Sequence, residues 1–446
     1  MSKKRLSKKL SRLTSAGAGG ARRVTSSPSG DEVRDPPASL EDPQEARMRS
    51  LRERMIQLRR GRKNQKRVAR KNAPQDVPGV GRETVHGVVQ VVETTHEAAH
   101  RHGEVAVGGA LRVCGSVVSR LALDEQLADF DPRRALFLDT ETTGLAGGSG
   151  TVPFLVGVGF FEGESFRVEQ LLLRELGAEK PLLRWLGERI AASSSVVSFN
   201  GKSYDWPLLR TRFVMNRLPP PTLPPHLDLL HSARRVFRHQ LSEMRLTTLE
   251  REVLGYHRQG DIPGAEIPKR YFDYLESGEG GLLEDIVRHN ADDVVAMAAL
   301  LGVLQGVMEA PEAGADPRVK LAVAQLQVRA HEPAQALEFV EAICASEAET
   351  PWKWEALLLG ATVLRREKRW DACEGVLLRA LELAGVAAGE RSRAHLMLAK
   401  LYEHQKKDFQ GALEHASLAE GAEEAAGVLK RLKRLEGRLE SAASAK

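Results

Sequence analysis

Two textures divide this chain, and together they limit the folds open to it. Between about residue 93 and residue 310, short β-rich runs alternate with helical patterns; beyond Pro311 the segments are almost all Ala/Leu/Glu/Arg-rich and helical. Strands interleaved with helices predict an α/β domain built on a mixed sheet, and the helical remainder predicts a separate all-α region. A length of 446 residues leaves room for this on a soft prior of roughly 150 residues per domain.

In the first texture, RALFLDTETTG (134–144) has a buried-strand core at Leu136, Phe137 and Leu138 and then turns polar. TVPFLVGVGFFEG (151–163) and ESFRVEQLLLRE (164–175) read as two strands of a hairpin turning near Glu162-Gly163. PLLRWLGERIAA (181–192) has helical periodicity, and SSVVSFNG (194–201) is a further strand.

The net charge of +5 conceals an asymmetry. Residues 1–75 hold 21 Lys+Arg against 7 Asp+Glu, leaving 44 against 53, a net of −9, for the rest. Residues 1–92 are read as a basic arm and linker: 1–44 are too poor in apolar residues to order themselves, and 45–71 carry Met48, Leu51, Met55 and Leu58 at helical spacing among arginines. The helix over 45–71 is either a contact for nucleic acid or another anionic surface, salt-sensitive if so, or a solvated helix docked by its apolar stripe, and residues 72–92 look like linker. No apolar run approaches the roughly 18 to 20 residues of a membrane span, so no membrane partner is expected. Cys114, Cys344 and Cys373 are too scattered for a disulfide framework, which fits a reducing cytoplasm.

The chemistry-bearing residues lie in three places. Asp139 and Glu141 end the first strand and, being alternate residues, point to one side. Two carboxylates placed together repel unless a cation lies between them, and hard oxygen donors suit Mg²⁺ or Mn²⁺. In SVVSFNGKSYDWPLL (195–209), Asp205 follows Asn200-Gly201 and opens a helical stretch, offering a third carboxylate. In LLEDIVRHNADDVVAMAALL (282–301), His289 and Asp293 are four residues apart on one helix face.

Asp139-x-Glu141, Asp205 and His289-xxx-Asp293, in this order on an α/β chain, resemble the DEDD exonuclease superfamily, whose fold is ribonuclease H-like. LDTETTGLAGGSGT, FNGKSYDWP, HLDLLHSARR, LTTLEREVLG, DIPGAEIP and HNADD are more closely similar to the YprB-type exonucleases of that superfamily, over roughly residues 95–305. The resemblance implies a 3′–5′ exonuclease in which Asp139, Glu141, Asp205 and Asp293 hold two Mg²⁺ or Mn²⁺ ions about 4 Å apart at a scissile phosphate. It implies His289 as the group that takes or orients the proton of the attacking water, with a nucleoside 5′-monophosphate as product. Thr142, Thr143 and Gly144, with Asn200 and Gly201 opposite, are then the contacts of the terminal nucleotide. The substrate is a single-stranded 3′ end of DNA or RNA. The four-residue spacing from His289 to Asp293 departs from the histidine branch of the superfamily, which uses five, and matches the tyrosine branch. Asp292 is the alternative ligand if the helix registers differently, and Asp293 is preferred.

Other segments are read as scaffolding. GLAGGSGT (144–151) lacks the GK[ST] of a P-loop and is taken as a turn beside the site. HLDLLHSARR (226–235) is taken as packing beneath the site, with Asp228 as a supporting residue and Arg234, Arg235 and Arg238 as phosphate contacts or a solvated face. DIPGAEIP (261–268) is taken as an ordered loop near the site without assigned chemistry. After 311, three segments align on Ala336, Ala372 and Ala412, each preceded by a helix. This resembles tetratricopeptide repeats, which implies a protein partner. The organisation expected is therefore 1–92 arm and linker, 93–310 ribonuclease H-like domain, and 311–446 helical repeats. The competing function is a protein-binding scaffold whose nuclease fold is weakly active or inactive.

Overall fold

A computed structural model describes residues 76–144, 150–310, 316–422 and 424–443. The expected basic arm and its helix over 45–71, with most of the glycine-rich turn (145–149), lie outside the described residues. The strands are β1 (Val80–Thr84), β2 (Gly87–His96), β3 (Arg101–His102), β4 (Val105–Ala106), β5 (Ala135–Thr142), β6 (Pro153–Glu162), β7 (Ser165–Leu172), β8 (Ser195–Ser198) and β9 (His226–Asp228). Helices α1 (Gly115–Ala122), α2 (Glu179–Ala192), α3 (Asp205–Met215), α4 (Leu229–Phe237), α5 (Leu246–Leu249), α6 (Ile267–Ser277) and α7 (Glu284–Glu309) accompany them. The helical region follows as α8 (Pro317–Arg329), α9 (Pro333–Ala345), α10 (Thr350–Arg366), α11 (Trp370–Glu382), α12 (Ala388–Leu401), α13 (Phe409–Ser417) and α14 (Ala425–Ala443).

Seven strands form one mixed sheet in the order β1-β2-β7-β6-β5-β8-β9. β5 runs antiparallel to β6 and parallel to β8, so it lies between the hairpin strands and the crossover strands. The hairpin turns at Glu162–Ser165, with Gly163 at φ +63°. The expected linker over 72–92 is corrected: β1 pairs with β2 across Thr84↔Gly87, and β2 pairs with β7, so the sheet begins at Val80. Val89 and Val91 of β2 are buried on one face, and this gives the segment its reason to be a strand.

Leu136, Phe137 and Leu138 of β5 are buried, and the burial relaxes at Asp139. Asp139 and Phe137 register with Gly157 and Gly159 of β6. A Cβ at Gly157 would lie 2.2 Å from Oδ1 of Asn290, and one at Gly159 would lie 2.6 Å from Cγ1 of Val294. These two glycines let α7 lie directly on the sheet beside Asp139. The stretch Gly280–Glu309 is long and apolar enough to cross a membrane, which corrects the expectation that no such stretch exists. It is hydrophobic because it is enclosed: Val294 through Leu301 are all buried between the sheet and neighbouring helices.

α7 ends at Glu309, close to the boundary expected at 310, but the core does not end there. Leu300 and Leu304 of α7 share one apolar cluster with Val319, Val323 and Phe339 of α8 and α9. α8–α9, α10–α11 and α12–α13 are three consecutive helix pairs. His331, Lys368 and Lys407, each two residues before the second helix of a pair, have φ of 61°, 57° and 59°, so the same turn recurs. The register of the repeat shifts by one residue from expectation: Ala336, Cys373 and Ala412 are the buried small residues at the fourth position of α9, α11 and α13, whereas Ala372 is only half-buried.

Candidate active site

Four carboxylates from three regions of the chain converge at the polar end of β5. Asp139 and Glu141 lie on β5, Asp205 opens α3 after β8, and Asp293 sits one turn beyond His289 on α7. The Thr140 hydroxyl donates to Asp205 Oδ1. Asn290 Nδ2 donates to Asp139 Oδ2 at 2.7 Å, and Gln170 Nε2 donates to Asn290 Oδ1 at 2.9 Å. Glu141, His289 and Asp293 each offer one ligand atom, all within 4.8 Å of one another. Asp292 does not join them: its Oδ1 faces the Tyr256 hydroxyl at 3.4 Å.

The four carboxylates are largely buried together and repel one another. Burial pushes the Asp139 carboxyl well above the ordinary carboxylate range, and Asp293 and Asp205 push it further. Burial does the same to Glu141, with Asp139 and Asp293 adding to the shift. Burial raises Asp293 as well, although Arg258 and His289 pull the other way. Asp205 is pushed up to about 6, chiefly by burial and against the Thr140 hydrogen bond. Hard oxygen donors, mutual repulsion and one nearby imidazole suit a divalent cation as the group these residues would hold.

The Asp205 shift has a testable sign. An ordinary aspartate titrates at 3.8, so between there and about 6 the folded chain holds a proton that the unfolded chain has released. Stability from this group is present at acid pH and is lost as pH rises through about 6. In EDTA, Asp205→Asn is therefore expected to melt above the wild type at neutral pH, with the difference closing toward about pH 4. A difference of equal size at both pH values would contradict this.

Sequence reasoning missed the group that organises the α7 end of the site. Arg258, only 7% exposed, donates from Nε to Glu250 Oε2 at 2.7 Å and from Nη2 to Glu250 Oε1 at 3.0 Å and to Asp293 Oδ1. Its Nη1 lies 3.4 Å from Asp261 Oδ2 and 3.1 Å from His289 Nδ1. Burial opposes this charge, but Asp293 and Glu250 more than compensate and hold the guanidinium protonated. Asp261 was read only as part of an ordered loop; its Oδ1 lies 2.7 Å from His289 Nδ1. With Nδ1–H donated to Asp261, the other ring nitrogen faces Glu141 at 3.8 Å and Asp293 at 3.7 Å.

The loop carrying Asp205 is held from below. Asn200 adopts φ +67°, and its backbone N–H donates to Asp228 Oδ1 at 2.8 Å while that of Lys202 donates to Asp228 Oδ2 at 3.2 Å. Asp228 also caps α4 through Leu230 N at 3.1 Å. A Cβ at Gly201 would lie 2.4 Å from Ser198 Oγ and 3.1 Å from Asp205 Oδ2, so this position has no room for a side chain. His226 pairs with Ser198 Oγ at 2.7 Å, and burial lowers its pKa to about 4, which makes it a packed neutral imidazole. Arg235 donates to Leu121 O and Arg238 to Gln325, so both are engaged at helix contacts.

The other expected nucleotide contacts lie in the turn after β5. The Thr142 hydroxyl donates to Gly144 O at 2.9 Å. Thr143 is buried, its hydroxyl accepts from Val152 N at 3.0 Å, and its own N–H donates to Val152 O. Both hydroxyls thus close the turn, and a β-bulge between Glu141 and Thr142 redirects the strand there.

The family model of the RNase_H superfamily matches residues 136–305, which contain all four carboxylates and His289. The uncharacterized protein YprB of Bacillus subtilis (strain 168) is 31% identical over 339 residues, covering 74% of this chain and 80% of that protein. With the mixed sheet and its acidic end already described, the chain belongs to the YprB family and carries an RNase H-superfamily domain.

Proposed function

We propose that this chain is a metal-dependent 3′–5′ exonuclease that removes nucleoside 5′-monophosphates from single-stranded ends of DNA or RNA. The observation that carries the reading is the convergence of Asp139, Glu141, Asp205 and Asp293 beside an imidazole whose far nitrogen is fixed by Asp261. Asp139, Glu141, Asp205 and Asp293 are the residues to hold two Mg²⁺ or Mn²⁺ ions. Such ions, when bound, supply Lewis-acid stabilisation to the scissile phosphate and make water more acidic.

The chain's own residues do the rest. Asp261 keeps the His289 proton on Nδ1, leaving Nε2 to accept or orient the proton of an attacking water. Arg258 holds Asp293 by one oxygen, so the other stays turned toward Glu141 and His289. Asn290 fixes one oxygen of Asp139, and Asp228 fixes the loop leading to Asp205. The Asn200–Gly201 turn and the Thr142–Gly144 turn flank the carboxylates as walls for a terminal nucleotide.

Asp261→Asn is expected to slow hydrolysis by about 10- to 100-fold with the melting temperature nearly unchanged, because an orienting partner is lost and no core contact is removed. Steady-state rates and a melting curve check this. The proposal itself is tested on end-labelled strands: mononucleotides should appear from the 3′ end in Mg²⁺ or Mn²⁺ and not in EDTA.

A second reading draws on the three helix pairs. We read them as tetratricopeptide-like, with a groove between α9 and α11 lined by Leu337, Val340, Leu364 and Val376 as a seat for a partner protein in the cytoplasm. If strands remain intact under every metal condition, this scaffold role is the one that stands.

A further inference from the structure

α7 has two working faces. His289 and Asp293 lie on one; Val287, Ala291 and Val295 lie roughly opposite and form the wall of a separate cavity of about 450 Å³. The rest of that wall comes from β2, from the segment His96–His102, from Gln170 of β7 and from Tyr256. Val92 lines it together with the three α7 residues, and Tyr256 stacks on His102 at 3.7 Å between ring centres. His96, His100, Arg101 and Arg288 line the same cavity, with the His96 and His100 rings 4.3 Å apart. Glu284 and Asp292 also border it; Asp292 already accepts from the Tyr256 hydroxyl, and Arg288 is paired with Asp285. Among the described residues the Arg101 guanidinium donates to the Glu104 carbonyl, a neutral partner, and it stands beside two imidazoles. Burial and the neighbouring imidazoles hold His96 toward its neutral form, so the positive charge at the edge is that of Arg101, with the histidines as hydrogen-bonding neighbours. An apolar lining beside a stacked aromatic pair and this guanidinium is suited to a planar ring carrying a phosphate.

Two hydrogen-bonded chains run from this cavity to the carboxylates. Gln170, on the cavity wall, donates to Asn290, which donates to Asp139. His102, also on the wall, meets Glu250 Oε1 at 2.8 Å; Glu250 holds Arg258, and Arg258 holds Asp293. A ligand that moves Gln170 or His102 therefore moves the partner of a carboxylate on the far side of α7.

We propose that the cavity is a second site, for a nucleoside 5′-monophosphate, through which the product of the reaction proposed above slows that reaction. The identity of the ligand rests on the exonuclease reading, whereas the site itself rests on the cavity. The phosphate lies against Arg101, His100 and His96, and the base lies over Val92, Val287 and Val295. Any such coupling is reciprocal: occupancy that weakens ion binding at the carboxylates is weakened by the ions to the same degree.

The test is equilibrium dialysis of the full chain against dAMP and AMP in EDTA. Saturable binding is expected for the wild type and for Asp139→Asn, with at least a tenfold weaker Kd in the double variant His100→Ala, Arg101→Ala and in the charge reversal Arg101→Glu. Absence of saturable binding, or binding abolished by Asp139→Asn and unchanged in both margin variants, would overturn the proposal. A 5′-phosphorylated oligonucleotide is the second probe; if it alone binds, the cavity belongs to a strand terminus and the free-mononucleotide assignment fails. In hydrolysis assays added dAMP should lower kcat without raising KM, and the margin variants should be relieved of this. Binding in EDTA needs no turnover, so a chain that binds dAMP and cuts nothing overturns the exonuclease reading alone, and a chain that cuts strands but binds no dAMP overturns the cavity alone.

Discussion

Asp139→Asn should leave a folded protein that melts higher in EDTA than the wild type and hydrolyses strands at least about 10³-fold more slowly, the loss of several kcal/mol of charge stabilisation at one ligand. The two halves have one cause. Burial, Asp293 and Asp205 all disfavour a negative charge at Asp139, so neutralising it relieves repulsion, for a gain of about 1 kcal/mol. Asparagine keeps an oxygen for the Asn290 hydrogen bond, so the local geometry has reason to persist. The same substitution removes a donor that a cation needs. Saturating Mg²⁺ or Mn²⁺ should therefore raise the melting temperature of the wild type and have little effect on the variant. Melting curves with and without metal, beside single-turnover rates, measure both halves. Unchanged hydrolysis in Asp139→Asn would remove this carboxylate from the site.

Arg258→Met is expected to be the most destabilising substitution in the site region, by about 3–5 kcal/mol at neutral pH, because it abandons buried carboxylates and does not merely delete a contact. Glu250 is 1% exposed and Arg258 is its bidentate partner; Asp261 and Asp293 also face the same guanidinium. Methionine fills much of the volume and supplies no charge. Arg258→Lys returns the charge without the fork and should recover only part of the loss. The deficit should shrink as pH falls and the abandoned carboxylates take up protons. Urea unfolding at neutral and mildly acid pH checks the size and the trend. A change within about 0.5 kcal/mol would mean that the guanidinium is not the counter-charge that holds these residues together.

Much of the carboxylate cluster is legible in the sequence because it is locally encoded. Leu136–Leu138 followed by Asp139 and Glu141 reads as a strand reaching solvent at its end, and the structure makes it β5. His289 and Asp293 announce a shared face through their spacing alone, and both lie at the site. Asp293 could be chosen over Asp292 from helix geometry, and Asp292 turns instead to Tyr256. The supporting residues were harder to see. Arg258 and Asp261 act on α7 residues 28 to 35 positions away, from a loop with no periodicity to read. Asn290 gives no sequence signal, since an amide carries no obvious chemistry, yet it joins Gln170 to Asp139. β1 and the first part of β2 fall within the expected linker over 72–92: Val88, Val89, Val91 and Val92 do not alternate cleanly with polar residues, and β1 is mostly exposed. Ala372 matches Ala336 and Ala412 in type, but the buried position of the second pair belongs to Cys373. α7 resembles a membrane span in composition only because sheet and helices enclose it.

Four carboxylates drawn from β5, α3 and α7 are expected to act together as one cation site. Calorimetric titration of the full chain with Mn²⁺, on the wild type and on Asp139→Asn, tests it most directly. Saturable binding of two ions per wild-type chain, with at least one lost in the variant, is the expected result. No saturable binding to the wild type, or the same binding to both proteins, would contradict it.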